Sequence, residues 1–399
     1  MFILEKKIIK TIEQYKDIFF FLIITALGVA IRILGRNFIS KDMFVFLNPW
    51  FHTMKELGGF SGLSIQVGDY NILYQTIIAF LTYINIDPVI SYKIVSCIFD
   101  FLLAYYGAIF ICELSGRSMC KLTFNCAYCL ILLFPTVVFN SSFWGQCDSI
   151  YVFFCILTLR NLYKGKYVLA FVFLGAAFAF KLQTIFIVPF IICYYFYKKD
   201  FSILNFLISA LVLELSGIPG FLAGRSLLAP WDIYLFQTKE QPVMYANIPN
   251  LWVLTGGDYE TLGKFAVILT ICLLGAGLYL VLSSKKELLH PEDFLNFACW
   301  SCWTCVLFLP VMHERYTYGL DIMLLLLCFL SKIYIPFALV SGTLSLLSYS
   351  YFLFDTAYME RPAALLFLIS YLLYTYIIYL RQSAKQAPKN VLHIEQHSS

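Results

Sequence analysis

Long apolar runs separated by short polar turns dominate the chain. They fall near residues 17–35, 89–112, 120–139, 148–163, 167–181, 184–197, 201–221, 264–283, 294–311, 318–331, 333–352 and 363–380. The runs are continuous, without the polar–apolar alternation of a membrane strand, so the pattern predicts helices and excludes a barrel. Twelve runs of this kind predict an all-α polytopic membrane protein. A shorter apolar stretch, residues 71–84, is too short for a comfortable span and suits an interfacial or re-entrant helix. Its placement decides which side every later segment faces.

Basic residues resolve that parity. Lys6, Lys7, Lys10 and Lys16 predict a cytoplasmic N-terminus. If residues 71–84 do not span, thirteen Lys and Arg beyond residue 112 fall on cytoplasmic turns, from Arg117 and Lys121 through Lys285 and Lys286 to Lys389, against six opposite. If they do span, the bias inverts. The expected arrangement therefore has twelve spans and two cytoplasmic termini. Two long extracytoplasmic connections, 36–88 and 222–263, interrupt a single integral domain, 1–381. The polar tail 382–399 is expected to be cytoplasmic and disordered.

The first of these connections carries its own pattern. Phe44, Leu47, Trp50, Phe51, Met54 and Leu57 recur at helical spacing, with Lys55 and Glu56 on another face. This predicts an amphipathic helix in the membrane interface, ended by Gly58-Gly59. With the helix that follows Gly68-Asp69-Tyr70, it is expected to roof a cavity at the membrane surface.

Composition agrees with the patterning: 61% of the 399 residues are hydrophobic, 13% are charged and the mean hydropathy is +0.79. The net charge of +4 follows from basic cytoplasmic turns and implies no nucleic-acid partner. Most of the thirteen Cys lie in apolar segments. Cys299, Cys302 and Cys305 have ladder spacing but no second ligand cluster, and read as buried small hydrophobes. No small-residue cleavage site follows the first apolar run, so no cleavable signal is expected.

Against this apolar background three polar islands stand out: Ser40-Lys41-Asp42, Trp144-Gly145-Gln146-Cys147-Asp148 and His313-Glu314-Arg315-Tyr316. The parity above brings all three to the extracytoplasmic face. Asp42 offers a carboxylate that accepts a proton from an attacking hydroxyl, or else an N-cap. Asp148, also a plausible cap, offers a second acid to orient an acceptor or hold a cation. Lys181 and Gln183 interrupt an apolar stretch on the side that disfavours Lys, which points to a phosphate partner. Arg315 grips phosphate with two donors, His313 donates a hydrogen bond or a proton, and Glu314 pairs with a basic neighbour. Asp100 and Glu214 lie near mid-membrane, where acids either function or bond between helices.

In order and spacing, an acid after the first span, an interfacial-helix loop, an acid opening the fourth span and Lys181-x-Gln183 resemble the GT-C membrane glycosyltransferases. The chain is most similar to bacterial relatives of the GPI-anchor mannosyltransferases. It is more distantly similar to dolichyl-phosphate-glucose-dependent glucosyltransferases, whose His-Glu-Lys motif corresponds to His313-Glu314-Arg315, with Arg in place of Lys. The resemblance runs from Ile31 to about Asp321. It implies a GT-C fold and inverting transfer of a monosaccharide from a polyprenyl-phosphate donor. The implied acceptor is a hydroxyl of a lipid-linked glycan or cell-envelope polymer. It places Asp42 and Asp148 as the acidic pair, Asp42 being the base, and Lys181, Gln183, His313 and Arg315 at the donor phosphate. Glu314, Tyr316, Asp69 and Trp144 complete the set in supporting roles.

No metal-binding motif is present, although two acids leave a divalent cation open. The rival readings are a transporter or flippase of a lipid-linked sugar, using Asp100 and Glu214, and a glycan polymerase. Compact loops favour a bacterial plasma membrane over the endoplasmic reticulum.

Overall fold

Helices occupy all twelve apolar runs in the computed structural model, which describes residues 2–116, 121–240, 243–283 and 288–385. Among the described residues five helices are long and apolar enough to cross a membrane: Ile3–Leu34, Pro88–Leu114, Tyr259–Ser283, Lys332–Phe354 and Glu360–Tyr379. Lys121–Leu132 and Pro135–Trp144, bent by 53°, make a sixth if they are one span. The other runs form shorter helices. Asp148–Tyr163 has 16 residues, a rise of about 24 Å against a hydrocarbon core of about 30 Å. Apolar length in the sequence thus overstates helix length, because the backbone breaks inside or beside several runs. Pro135 bends one, and Lys181 takes an extended conformation that separates Tyr167–Phe180 from the tight turn Leu182–Ile187. Arg117, Lys285, Lys286 and Lys389, and the tail beyond Lys385, lie outside the described residues. The tail expected from residue 382 begins instead as the end of helix Glu360–Lys385.

Many large apolar side chains face outward, among them Leu27, Ile98, Leu211, Ile271 and Leu372. Such a surface suits lipid and not water. Pro291–Phe308, by contrast, is buried on every side from Glu292 to Phe308. Cys299, Cys302 and Cys305 are buried free thiols there, filling space as expected. Trp303 packs beside them against Phe367 and Tyr374, with ring centroids 5.3 and 5.2 Å away.

Two buried cations tie the first long helix to Pro88–Leu114. Arg32 pairs with Asp100 at 2.8 Å, and Ser141 donates to the same carboxylate oxygen. Asp100 is therefore held by a partner on the first helix that the sequence did not single out. Lys93 donates to the carbonyls of Gly35 (2.7 Å), Arg36 (3.4 Å) and Phe38 (2.5 Å), fixing the turn that follows Ile3–Leu34. Glu214, the other intramembrane acid of the sequence reading, accepts from Trp231 Nε1 at 2.8 Å.

In the first connection, Met43–Leu47 and Asn48–Glu56 form one continuous helix, wider in its first part, that stops at Gly58, whose φ of 83° is left-handed. Leu47, Phe51 and Met54 are buried, whereas Phe44 and Leu57 are exposed. Residues Ile72–Leu81 form a 10-residue helix, about 15 Å long, which is too short to cross a membrane. Gln146, beyond this helix, reaches Asp42 before it, so the chain returns to the same end of the bundle.

Candidate active site

Asp42 is set by two local devices. Ser40 accepts from the Met43 backbone at 3.1 Å and donates to the Trp144 carbonyl at 3.1 Å, so the helix is capped by Ser40 and not by Asp42. Asp42 itself has helical dihedrals. Across from it, Phe139–Trp144 ends at Gly145, with φ 78°, where a Cβ would come within 2.5 Å of Met43 Cε. That turn aims two donors at one oxygen. Asp42 Oδ2 accepts from Trp144 Nε1 at 2.9 Å and from Gln146 Nε2 at 2.7 Å. Tyr70 donates to Gln146 Oε1 at 2.6 Å and fixes the amide. Among the described residues Asp42 Oδ1 receives no hydrogen bond.

Asp148 opens helix Asp148–Tyr163 but caps no backbone amide. It is fully buried. One carboxylate oxygen accepts from Lys181, the other from Asn140 Nδ2 at 2.9 Å, with Arg315 Nε 3.8 Å away. Asp148 therefore stands behind the cationic pair and is not among the residues that line the cavity. It braces Lys181 and Arg315, and its carboxylate is turned away from the cavity lining.

Arg315 is the hub. Its Nη1 lies 3.5 Å from Asp42 and 3.4 Å from Glu314, and its guanidinium sits 5.5 Å from the Trp144 ring centroid. With its charge between Asp42 and Asp148, those acids do not share a divalent cation, so the residues do not fit a metal bridge there. Arg315 Nε and Gln183 Oε1 are buried polar atoms without a hydrogen-bond partner among the described residues. Both belong to side chains lining the cavity. Lys181 Nζ lies 5.7 Å from the ring centroids of both Tyr151 and Tyr316, within cation–π range.

The His313 island is held from outside by the second long connection. Tyr245–Ala246 pairs in parallel with Met312–His313, and Asn247 bridges to His313. Val243 accepts from the Val311 amide at 3.1 Å, and Asn247 Nδ2 donates to Glu314 Oε2 at 3.3 Å. Val311 and Asn247 both have φ of 59°. Asn tolerates this conformation, but the β-branched Val does so only under constraint from its surroundings.

Burial, helped by the Arg315 and Lys181 charges, pushes the His313 imidazole down to about 3. His313 is thus a neutral hydrogen-bonding group and not a cation. Burial pushes the Glu314 carboxyl up to about 7, opposed by Arg315 and reinforced by Asp42. Asp69 is raised by burial alone.

These groups enclose a cavity of about 330 Å³, lined by Asp42, Asp69, Lys181, Gln183, His313, Glu314, Arg315 and Tyr316 with aromatic neighbours. The acidic pair, the phosphate-side set and the supporting residues of the sequence reading are all brought to this place, Asp148 and Trp144 immediately behind the wall, whereas Asp100 and Glu214 lie elsewhere. Gln146, Asn247, Gln237 and Tyr70 were missed as site residues. Gln146 lies inside one of the three islands, but its amide, like those of Gln237 and Asn247, carries no charge signal. The arrangement puts a carboxylate with a free oxygen beside fixed cations and donors, a setting for moving a proton next to an anionic group. The chain matches no known family model and no curated protein.

Proposed function

We propose that the chain is an inverting GT-C glycosyltransferase with twelve membrane crossings, moving a hexose from a polyprenyl-phosphate donor to a hydroxyl of a lipid-linked glycan or cell-envelope polymer. In this reading the cavity opens on the extracytoplasmic face of a bacterial plasma membrane, with both termini in the cytoplasm. One observation carries it: Asp42, with Oδ2 doubly hydrogen-bonded and Oδ1 unused among the described residues, shares a cavity with Lys181, Gln183, His313 and Arg315.

Asp42 Oδ1 accepts the acceptor's proton as its oxygen bonds to the anomeric carbon. The bond from that carbon to the phosphate oxygen breaks, and its electron pair leaves with the polyprenyl phosphate. Phosphate is a good leaving group, so the protein's tasks are proton removal, in-line placement and charge stabilisation. Lys181 and Arg315, braced from behind by Asp148, meet the phosphate charge; neutral His313 adds a donor.

A transporter would need Asp100 or Glu214 as carrier groups. Asp100 is locked to Arg32, which counts against that use.

The test is transfer of label from radiolabelled polyprenyl-phosphate monosaccharides into membrane extracts. Asp42→Asn is expected to lower transfer by about 10²- to 10⁴-fold while donor binding persists. Full turnover by Asp42→Asn would remove Asp42 as base. Donor crossing proteoliposomes without any bond formation would establish a flippase instead.

A further inference from the structure

Part of the cavity wall has no task in the transfer chemistry. Asp69, Trp50 and Gln237 line it, all outside the phosphate-side set. Asp69 is half-buried. Among the described residues no cation and no hydrogen-bond donor reaches its carboxylate, and only its backbone carbonyl is engaged, by Gln237 Nε2. A carboxylate drawn partly out of water without a partner is unfavourable until donors are brought to it. Trp50 stands beside it because residue 68 is glycine: a Cβ there would come within 2.4 Å of the indole. The indole meets Tyr70 edge-on, with centroids 5.8 Å apart. Tyr70 in turn reaches Asp42 through Gln146. The unpaired acid and the aromatic plate are therefore built into the network that holds the proposed base.

A hexopyranose presents the complement of this wall. Its C–H face is apolar and flat enough to lie on an indole, and two adjacent hydroxyls supply parallel donors to the two oxygens of one carboxylate. Gln146, Gln237 and Asn247 line the same cavity, and a carboxamide both donates and accepts, as hydroxyls do. An ammonium sugar would meet the same carboxylate as a single charge, so comparing it with neutral glycosides separates charge pairing from recognition of a diol.

We propose that Asp69 and Trp50 form a second carbohydrate subsite, in which Asp69 takes hydrogen bonds from a vicinal diol of a neutral hexose and Trp50 covers its C–H face. The name acceptor subsite rests on the transferase reading; the sugar binding does not.

The test therefore uses no donor and no turnover. The detergent-solubilised full chain is mixed with methyl α-mannopyranoside, methyl α-glucopyranoside, their monodeoxy analogues and methyl 2-amino-2-deoxyglucoside. Saturation-transfer-difference NMR reads contact with the ring protons. The expected result is transfer to at least one neutral glycoside, made about tenfold weaker by Asp69→Asn and by removal of one of its adjacent hydroxyls. Trp50→Ala is expected to abolish contact and Trp50→Phe to keep it, which separates loss of the platform from loss of folding. Retained polyprenyl phosphate binding by Asp69→Asn makes the same separation for the acid. Equal signals in wild type and Asp69→Asn, no signal from any glycoside, or preference for the amino sugar would overturn the proposal. Label transfer, measured separately, succeeds or fails independently of this result.

Discussion

Glu314 is buried beside Arg315 with its carboxyl pushed up to about 7. The folded protein therefore favours the protonated form, whereas the unfolded chain ionises near 4.5. The sign follows: this contribution to stability is complete below about pH 4.5 and is lost as pH rises through about 7. The size is roughly 3 kcal/mol. Glu314→Gln, which keeps the amide contact to Asn247 without the charge, is expected to flatten the fall in thermal midpoint between pH 5 and pH 8. An identical slope in both proteins would mean Glu314 is ionised throughout. The residue scale is also where the sequence was most readable. Asp42, Lys181 and Arg315 are charges in an apolar chain, and charge there needs a reason. Asn247 and Gln237 are neutral and sit in a long connection, so only contact across sequence distance reveals them. Asp148 was legible as important but not in its place, since burial behind Lys181 depends on how three helix ends meet.

Among the elements, the first helix and Pro88–Leu114 are joined by Arg32 and Asp100, both almost fully buried. Breaking one member of such a pair strands the other charge, at a cost of about 3–5 kcal/mol. Arg32→Met is expected to destabilise by that amount in thermal unfolding. Arg32→Met with Asp100→Leu is expected to recover most of it, because no charge is then left unpaired. If the double variant were as unstable as the single one, packing and not charge would hold these helices. Helix existence was legible in the apolar runs; helix length was not. Lys181 shows why. Its extended backbone ends one helix and starts a 3₁₀ turn, and it does so to reach Asp148, a tertiary partner absent from any local pattern.

For the molecule as a whole, the polar groups gather at one end of the bundle. At the other end Glu113 binds Arg160 at 2.6 Å and Lys164 at 2.8 Å. The basic turns predict that the Glu113 end faces the cytoplasm. Ser61, Lys166 and Asp258 are all exposed. An impermeant maleimide applied to intact cells is expected to label Ser61→Cys and Asp258→Cys, and to label Lys166→Cys only after permeabilisation. The reverse pattern would invert the protein; labelling of all three from one side would break the two-ended arrangement. The pairing of Tyr245–Ala246 with Met312–His313 has a further consequence for biogenesis. Translation delivers a chain from its N-terminus, so Asp42 and Asp148 are made well before Arg315, which lies 3.5 Å from one and 3.8 Å from the other. A nascent or prematurely terminated chain holds Asp42, Asp148 and Lys181 without Arg315. Completion of the cavity is thereby tied to emergence of the late turn, residues 311–316, which supplies part of its wall.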